Sequence, residues 1–187
     1  MNIIQIGANR GNDDLSLIIG KTQPTKLILV EPFKLHNTSL LDYYSWVENI
    51  SIENLAIGKE TGKTLNFYYH IDDGPGYEIS SLIKEHITKP NHYSSDDGVR
   101  SFMVETININ DLFEKYNLVD IDILFIDAEG YDYKIISGIN FEKYNIKKLY
   151  FENLHLESQD IYINLESKGY KIDKHVGLNG WSSLAYK

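Results

Sequence analysis

Short apolar runs of strand length alternate along the chain with longer stretches in which hydrophobic positions recur every three or four residues. That alternation marks a parallel sheet held between layers of helices. The apolar runs predict strands at about Asn2–Ile6, Lys26–Val30, Ile50–Ala56, Ile121–Ile126 and Lys148–Asn153. The run "IDILFID" is apolar on both faces, as a central parallel strand requires. The helical period predicts helices from Asp13 to Gly20, from about Leu35 to Val47, from Tyr131 to Ser137 and from Ser158 to Lys168. Asn12 or Asp13 is placed to cap the first, and Gly169 to close the last in a left-handed conformation. Beyond Gly169 the period changes: "YKIDKHV" and "WSSLAYK" are strand-like and flank "GLNG", a hairpin turn signal. "TLNFYYH" and "SFMVETI" are two more strand-like runs, and they bracket a polar stretch at 71–100 that contains the turn "DDGPG". Stretches of this length are usually functional, so it is expected to be a mobile flap over a site, the alternative being a plain surface excursion. The pattern therefore predicts one α/β domain over 1–187, with a mostly parallel sheet, helices on both faces, a C-terminal antiparallel hairpin and a flap-like insertion at about 71–100.

Composition narrows the partners. The 187 residues are 42% hydrophobic, enough for one core. Eighteen Lys and Arg stand against 27 Asp and Glu, a formal charge of −9 that repels a phosphate backbone, so nucleic acid is not an expected partner. With no cysteine, disulfides and thiolate metal sites are excluded. No run approaches the ~18 apolar residues of a membrane helix, and the N-terminus shows neither the basic region nor the apolar segment of a signal peptide. A soluble, cytoplasmic protein with no membrane partner is the expectation.

In open parallel sheets the first strand-to-helix turn is the usual ligand contact. Here that turn is "GANRGNDD", and it fails the dinucleotide fingerprint. Asn9 replaces the second glycine, Asn12 stands at the third position, and Asp13 and Asp14 fall where a pyrophosphate needs positive potential. It is no phosphate loop either, lacking the Gly-Lys-Ser/Thr ending. A nucleoside ligand without phosphate but with positive charge fits better, and S-adenosylmethionine answers that description. Twenty residues after Gly11, "LILVEP" puts Glu31 at a strand end, where its carboxylate would accept from both hydroxyls of a ribose. The competing reading of the turn is a tight turn and no more.

The segments "QIGANRGN", "LVEP", "IENLAIGKETGKTLNFYY", "ISSL", "VETININDL" and "IDILFIDAEGYDYKIISGI" together resemble the FkbM-type family of S-adenosylmethionine-dependent methyltransferases, in order from about Asn2 to His155. The most specific piece is "FIDAEGYDYKIISG". The resemblance implies a Rossmann-like class I methyltransferase fold with a seven-stranded sheet ending in a hairpin. It further implies that Gly7, Asn9 and Gly11 line the methionine moiety, with Gln5 and Ala8 beside them. Glu31 would hold the ribose with Pro32 alongside, Ala56 and its neighbours would approach the adenine, and Asp127 would border the cofactor. Gln5 departs from the acidic residue common at that place in the fold, which weakens the expected contact with the cofactor's ammonium group.

Methyl transfer needs an aligned acceptor and a destination for its proton. Asp127 ends the central strand, Glu129 comes next in the turn, and Glu152 and His155 lie at the corresponding end of the next strand. His155 or Asp127 is the expected base and Glu152 an orienting group, while Glu129 fits either substrate contact or the positive end of the next helix dipole. A divalent metal would suit three carboxylates and a histidine, but the spacing matches no metal motif and is not favoured. Residues 71–100 offer Tyr77, Ser80, Ser81, His86, His92 and Tyr93 to a polar acceptor, with Ser80 and Ser81 as substrate contacts. The resemblance points to O-methylation of a sugar, glycan or small natural product. The other readings are a non-catalytic cofactor-binding module of the same fold and, less favoured, an NAD-dependent oxidoreductase. Trp181 is expected to be packing. With no helices ahead of the first strand, either the flap or a second copy in a homodimer is expected to cover the site.

Overall fold

A computed structural model describes residues 1–20, 22–89, 92–153, 160–177 and 180–187. Its elements in chain order are β1 (Asn2–Ile6), α1 (Asp14–Ile19), β2 (Lys26–Val30), α2 (Asn37–Tyr43), β3 (Ile50–Glu53), β4 (Ala56–Ile57), β5 (Thr64–His70) and α3 (Lys84–Ile87). After these come β6 (Val99–Ile107), α4 (Ile109–Lys115), β7 (Asp120–Ile126), α5 (Asp132–Ser137), β8 (Asn145–Glu152), α6 (Asp160–Ser167), β9 (Lys171–Val176) and β10 (Ser182–Tyr186). Seven strands form the main sheet in the order β3-β2-β1-β7-β8-β10-β9, parallel except for β10, which runs antiparallel between β8 and β9. A smaller sheet, β4-β6-β5, stands beside it.

The alternation along β1 sorts the two layers. Ile4 and Ile6 join the core beneath α4, α5 and α6, while Ile3 joins the core beneath α1 and α2, where Leu15, Ile19, Leu40 and Tyr44 are buried. Strand order reverses between β1 and β7. There Ile6 pairs with both Val30 and Ile126, so three strands end level with one another. Gly7, Glu31 and Asp127, the next residues after these three strands, are thereby delivered to one rim.

Two expected elements divide. The strand expected over 50–56 ends at Glu53, because the Asn54 side chain takes the Glu31 carbonyl (2.9 Å) and pairs with the Asn37 amide; Ala56 and Ile57 then leave to pair with β6. The helix expected over 35–47 is a 3-10 turn at Lys34–His36 that leads into α2, and it stops where Tyr44 turns inward to become buried. Helix α4 has no counterpart among the expected helices: Asn108 caps it through Asn110 N (2.9 Å), and Ile109, Leu112 and Phe113 bury one face. Leu178 and Asn179 of the hairpin turn and Ser158 at the expected helix start lie outside the described residues.

The described residues of the insertion, 71–89 and 92–100, pack against β5 of the smaller sheet. Ser81 exchanges two backbone hydrogen bonds with Tyr68 of β5, and the ring of Tyr93 stacks on His70 at 3.8 Å. Among the described residues no helix is long and apolar enough to cross a membrane.

Candidate active site

A cavity of about 1180 Å³ opens beyond the carboxyl ends of β1, β2, β7 and β8. Its floor is the glycine turn. Gly7 (φ +76°) has its N–H on the Val30 carbonyl at 3.0 Å, and a β-carbon there would meet the Asp127 carbonyl oxygen at 1.8 Å. A β-carbon at Gly11 (φ +84°) would stand 3.0–3.3 Å from the side chains of Tyr44, Tyr43 and Leu40. Both glycines line the cavity, yet what their missing side chains make room for is the protein itself: β7's end at one and α2 at the other.

Glu31 sits on the wall almost fully buried. Its Oε2 accepts from the Asn9 N–H (2.7 Å) and its Oε1 from the Phe33 N–H (2.8 Å). A carboxylate has about four acceptor sites, so Oε2 keeps a lone pair for a further donor, while Oε1 also faces the buried His36 Nδ1 at 3.6 Å. Pro32, Leu55, Ala56, Ile57 and the Phe67 ring continue the wall as an apolar surface suited to a flat base. At the opposite side Asp13 and Asp14 line the cavity. Asp13 is the N-cap of α1, accepting from Ser16 N at 3.3 Å and from Gln5 Nε2 at 2.5 Å, and burial raises its carboxyl above the ordinary range.

Along the same rim, at the ends of β7 and β8, Asp127, Glu129 and Glu152 each offer an oxygen within 4.8 Å of the others. Like charges this close in a partly desolvated place cannot all be ionised. Burial, and after it the neighbouring carboxylates, lift Asp127 to about 7, Glu152 to about 9 and Glu129 well above the carboxylate range. Behind them Asp132, which sequence reasoning does not single out, is buried. It accepts from the backbone N–H of Ala128 (3.1 Å) and of Glu152 (3.2 Å), tying the ends of β7 and β8 together, and burial pushes it up to about 7. Its place two residues past Gly130, opening α5, is the available signal.

Several expected contacts sit elsewhere. Gln5 is fully buried, its amide donating to Asp13, and it does not line the cavity, whereas Asp13 does. Ala8 is likewise fully buried, its methyl in the core under α1 and α2. Ser81 is fully buried with its hydroxyl donating to the Glu129 carbonyl (2.8 Å), so it holds the turn and faces no acceptor. Ser80 lines the cavity, its hydroxyl on the Tyr77 carbonyl at 2.8 Å. Trp181 is 54% exposed at the cavity mouth, not packed, because β10 enters the sheet only at Ser182. Gly7, Asn9, Gly11, Glu31, Pro32, Ala56, Asp127, Glu129 and Glu152 all line the cavity; His155 lies outside the described residues.

A mixed α/β chain with a largely parallel seven-stranded sheet, and a cavity where its order reverses, has the architecture of a methyltransferase-like fold. The family model described as the methyltransferase FkbM domain matches residues 5–172. The chain belongs to that family, and its general activity is that of a methyltransferase. No curated protein matches it.

Proposed function

We propose that the chain is an S-adenosylmethionine-dependent methyltransferase acting on a hydroxyl of a sugar, glycan or small natural product. The observation that carries this reading is one cavity holding, on one side, a buried carboxylate with unused acceptor sites beside an apolar wall and, on the other, a cluster of carboxylates able to take a proton. The donor set fits the cofactor. Glu31 would hold the ribose hydroxyls, Ala56 with Leu55 and Ile57 the base, and Asp13 and Asp14 the ammonium group. When bound, S-adenosylmethionine supplies a methyl group on a sulfonium sulfur, which an acceptor oxygen displaces in line. Asp127 in its unprotonated form accepts the proton the hydroxyl gives up, and a carboxyl group lifted to about 7 is matched to that task near neutral pH. Glu152 and Glu129 border the same space and orient the hydroxyl.

The test is incubation with S-adenosylmethionine labelled in its methyl group and a panel of methyl glycosides and polyhydroxylated small molecules. Label in a methyl ether with release of S-adenosylhomocysteine, reduced at least a hundredfold in Asp127→Asn, is the expected result. Full turnover by Asp127→Asn would remove Asp127 as the base, and methylated nitrogen or carboxyl products would remove the hydroxyl as acceptor.

A further inference from the structure

The cavity's own acids leave one group unexplained: a histidine buried directly behind them. His86, on α3 of the insertion, is 1% exposed, and its Nε2 lies 2.9 Å from Oε2 of Glu129. A buried imidazole costs stability unless it is bonded, and the surroundings are arranged to admit this one. Gly130 has no side chain where a β-carbon would stand 2.6 Å from the ring's Nδ1, so the ring lies close against the turn's backbone. That turn is itself unusual: Glu129 has φ +46° and Gly130 φ +82°. A non-glycine residue in the left-handed region persists only where its surroundings over-determine it. Ser81 supplies part of that constraint, donating to the Glu129 carbonyl at 2.8 Å while accepting from Ile83 N at 3.0 Å at the entrance to α3. The backbone of Glu129 is thus fixed by Ser81 and its side chain by His86, both from the insertion.

Resting on the proposed function, we propose further that His86 is a positioning residue. Its Nε2–H holds the Glu129 carboxylate turned into the cavity, toward the place where the methyl group is transferred, so that the insertion completes the acceptor side of the site. Without that bond, Glu129 sits in a strained turn beside Asp127 and Glu152, and turning its carboxyl group outward to water relieves the desolvation that burial imposes on it. The 20% exposure of the Glu129 side chain leaves that route open.

Two probes that differ only at the reacting centre read this directly: S-adenosylhomocysteine and sinefungin, in which a carbon bearing an ammonium group replaces the methylsulfonium. Their dissociation constants are compared by calorimetry at pH 7.5. The wild type is expected to bind sinefungin at least tenfold more tightly than S-adenosylhomocysteine, through the carboxylates facing the ammonium. In His86→Leu and in Glu129→Gln that preference is expected to fall at least fivefold, with S-adenosylhomocysteine affinity within twofold of wild type. His86→Gln, whose amide N–H reaches where Nε2 does, is expected to keep it, and His86→Asn, one atom shorter, to lose it. The Gln and Asn pair decides the matter if His86→Leu does not fold. A preference absent from the wild type, or equal in the Gln and Asn variants, would overturn the role of His86 while leaving cofactor binding standing. Failure of the wild type to bind S-adenosylhomocysteine at all would overturn the proposed function and this inference with it.

Discussion

Asp127 and Asp132 carry the most direct thermodynamic signature of the site, because burial holds both at about 7 in the folded chain. The unfolded chain ionises the same groups near about 4. A carboxyl group whose folded pKa is raised contributes stability that is fully present below its unfolded pKa and is lost as pH rises through its folded one. The thermal midpoint of the ligand-free protein should therefore fall as pH rises from about 4.5 to about 7.5 and level off above that, and Asp132→Asn should flatten that fall; a midpoint rising across this range in the wild type would contradict the assignment. At this scale the sequence is only partly legible. Glu31 and Asp127 can be found because each ends an apolar strand. Asp132 cannot, because its role is to accept two backbone N–H groups brought together by β7 and β8, and Gln5 misleads because its side chain is spent on Asp13 in the core and does not line the cavity.

Among the elements, the β1–α1 turn bears the tightest steric constraint. Gly7→Ala would set a methyl group 1.8 Å from the Asp127 carbonyl oxygen at a positive φ, forcing β1 and β7 apart at the rim. Strain and displaced packing of this kind cost about 3 kcal/mol or more, measurable as a lowered urea midpoint; a change under about 0.5 kcal/mol would show that the two turns are not locked together. The main strands are legible because their apolar runs are continuous. Helix α4 is not, because its buried face comes from only Ile109, Leu112 and Phe113 in seven residues, too few to fix a period. Strand β3 ends early for a reason no propensity records: a side-chain amide, Asn54, replaces the backbone partner that would have prolonged it.

The molecule as a whole places the insertion between the two halves of the site. Asn9 Nδ2 donates to the Gly76 carbonyl at 2.9 Å on the glycine turn, while Ser81 and His86 grip Glu129 on the other side. A segment joined to both turns should exchange its amides with them, so Ser81→Ala is expected to raise hydrogen exchange at 79–87 and at 127–132 together. Faster exchange at 79–87 alone would mean that the segment lies on the site without supporting it. The seven-stranded sheet with its closing hairpin is legible from the strand pattern once joined to a family resemblance; the packing of 71–89 is not, since its polar, irregular sequence offers no period to read.

The central claim is that the glycine turn and Glu31 hold S-adenosylmethionine, and calorimetric titration of wild type and Glu31→Ala with S-adenosylhomocysteine tests it most directly. Loss of hydrogen bonds to a charged group costs about 1.5–3 kcal/mol, so the account predicts binding by the wild type and at least a tenfold weaker constant in the variant, with NAD binding to neither. Wild-type binding of NAD without S-adenosylhomocysteine, or equal constants in the two proteins, would contradict it.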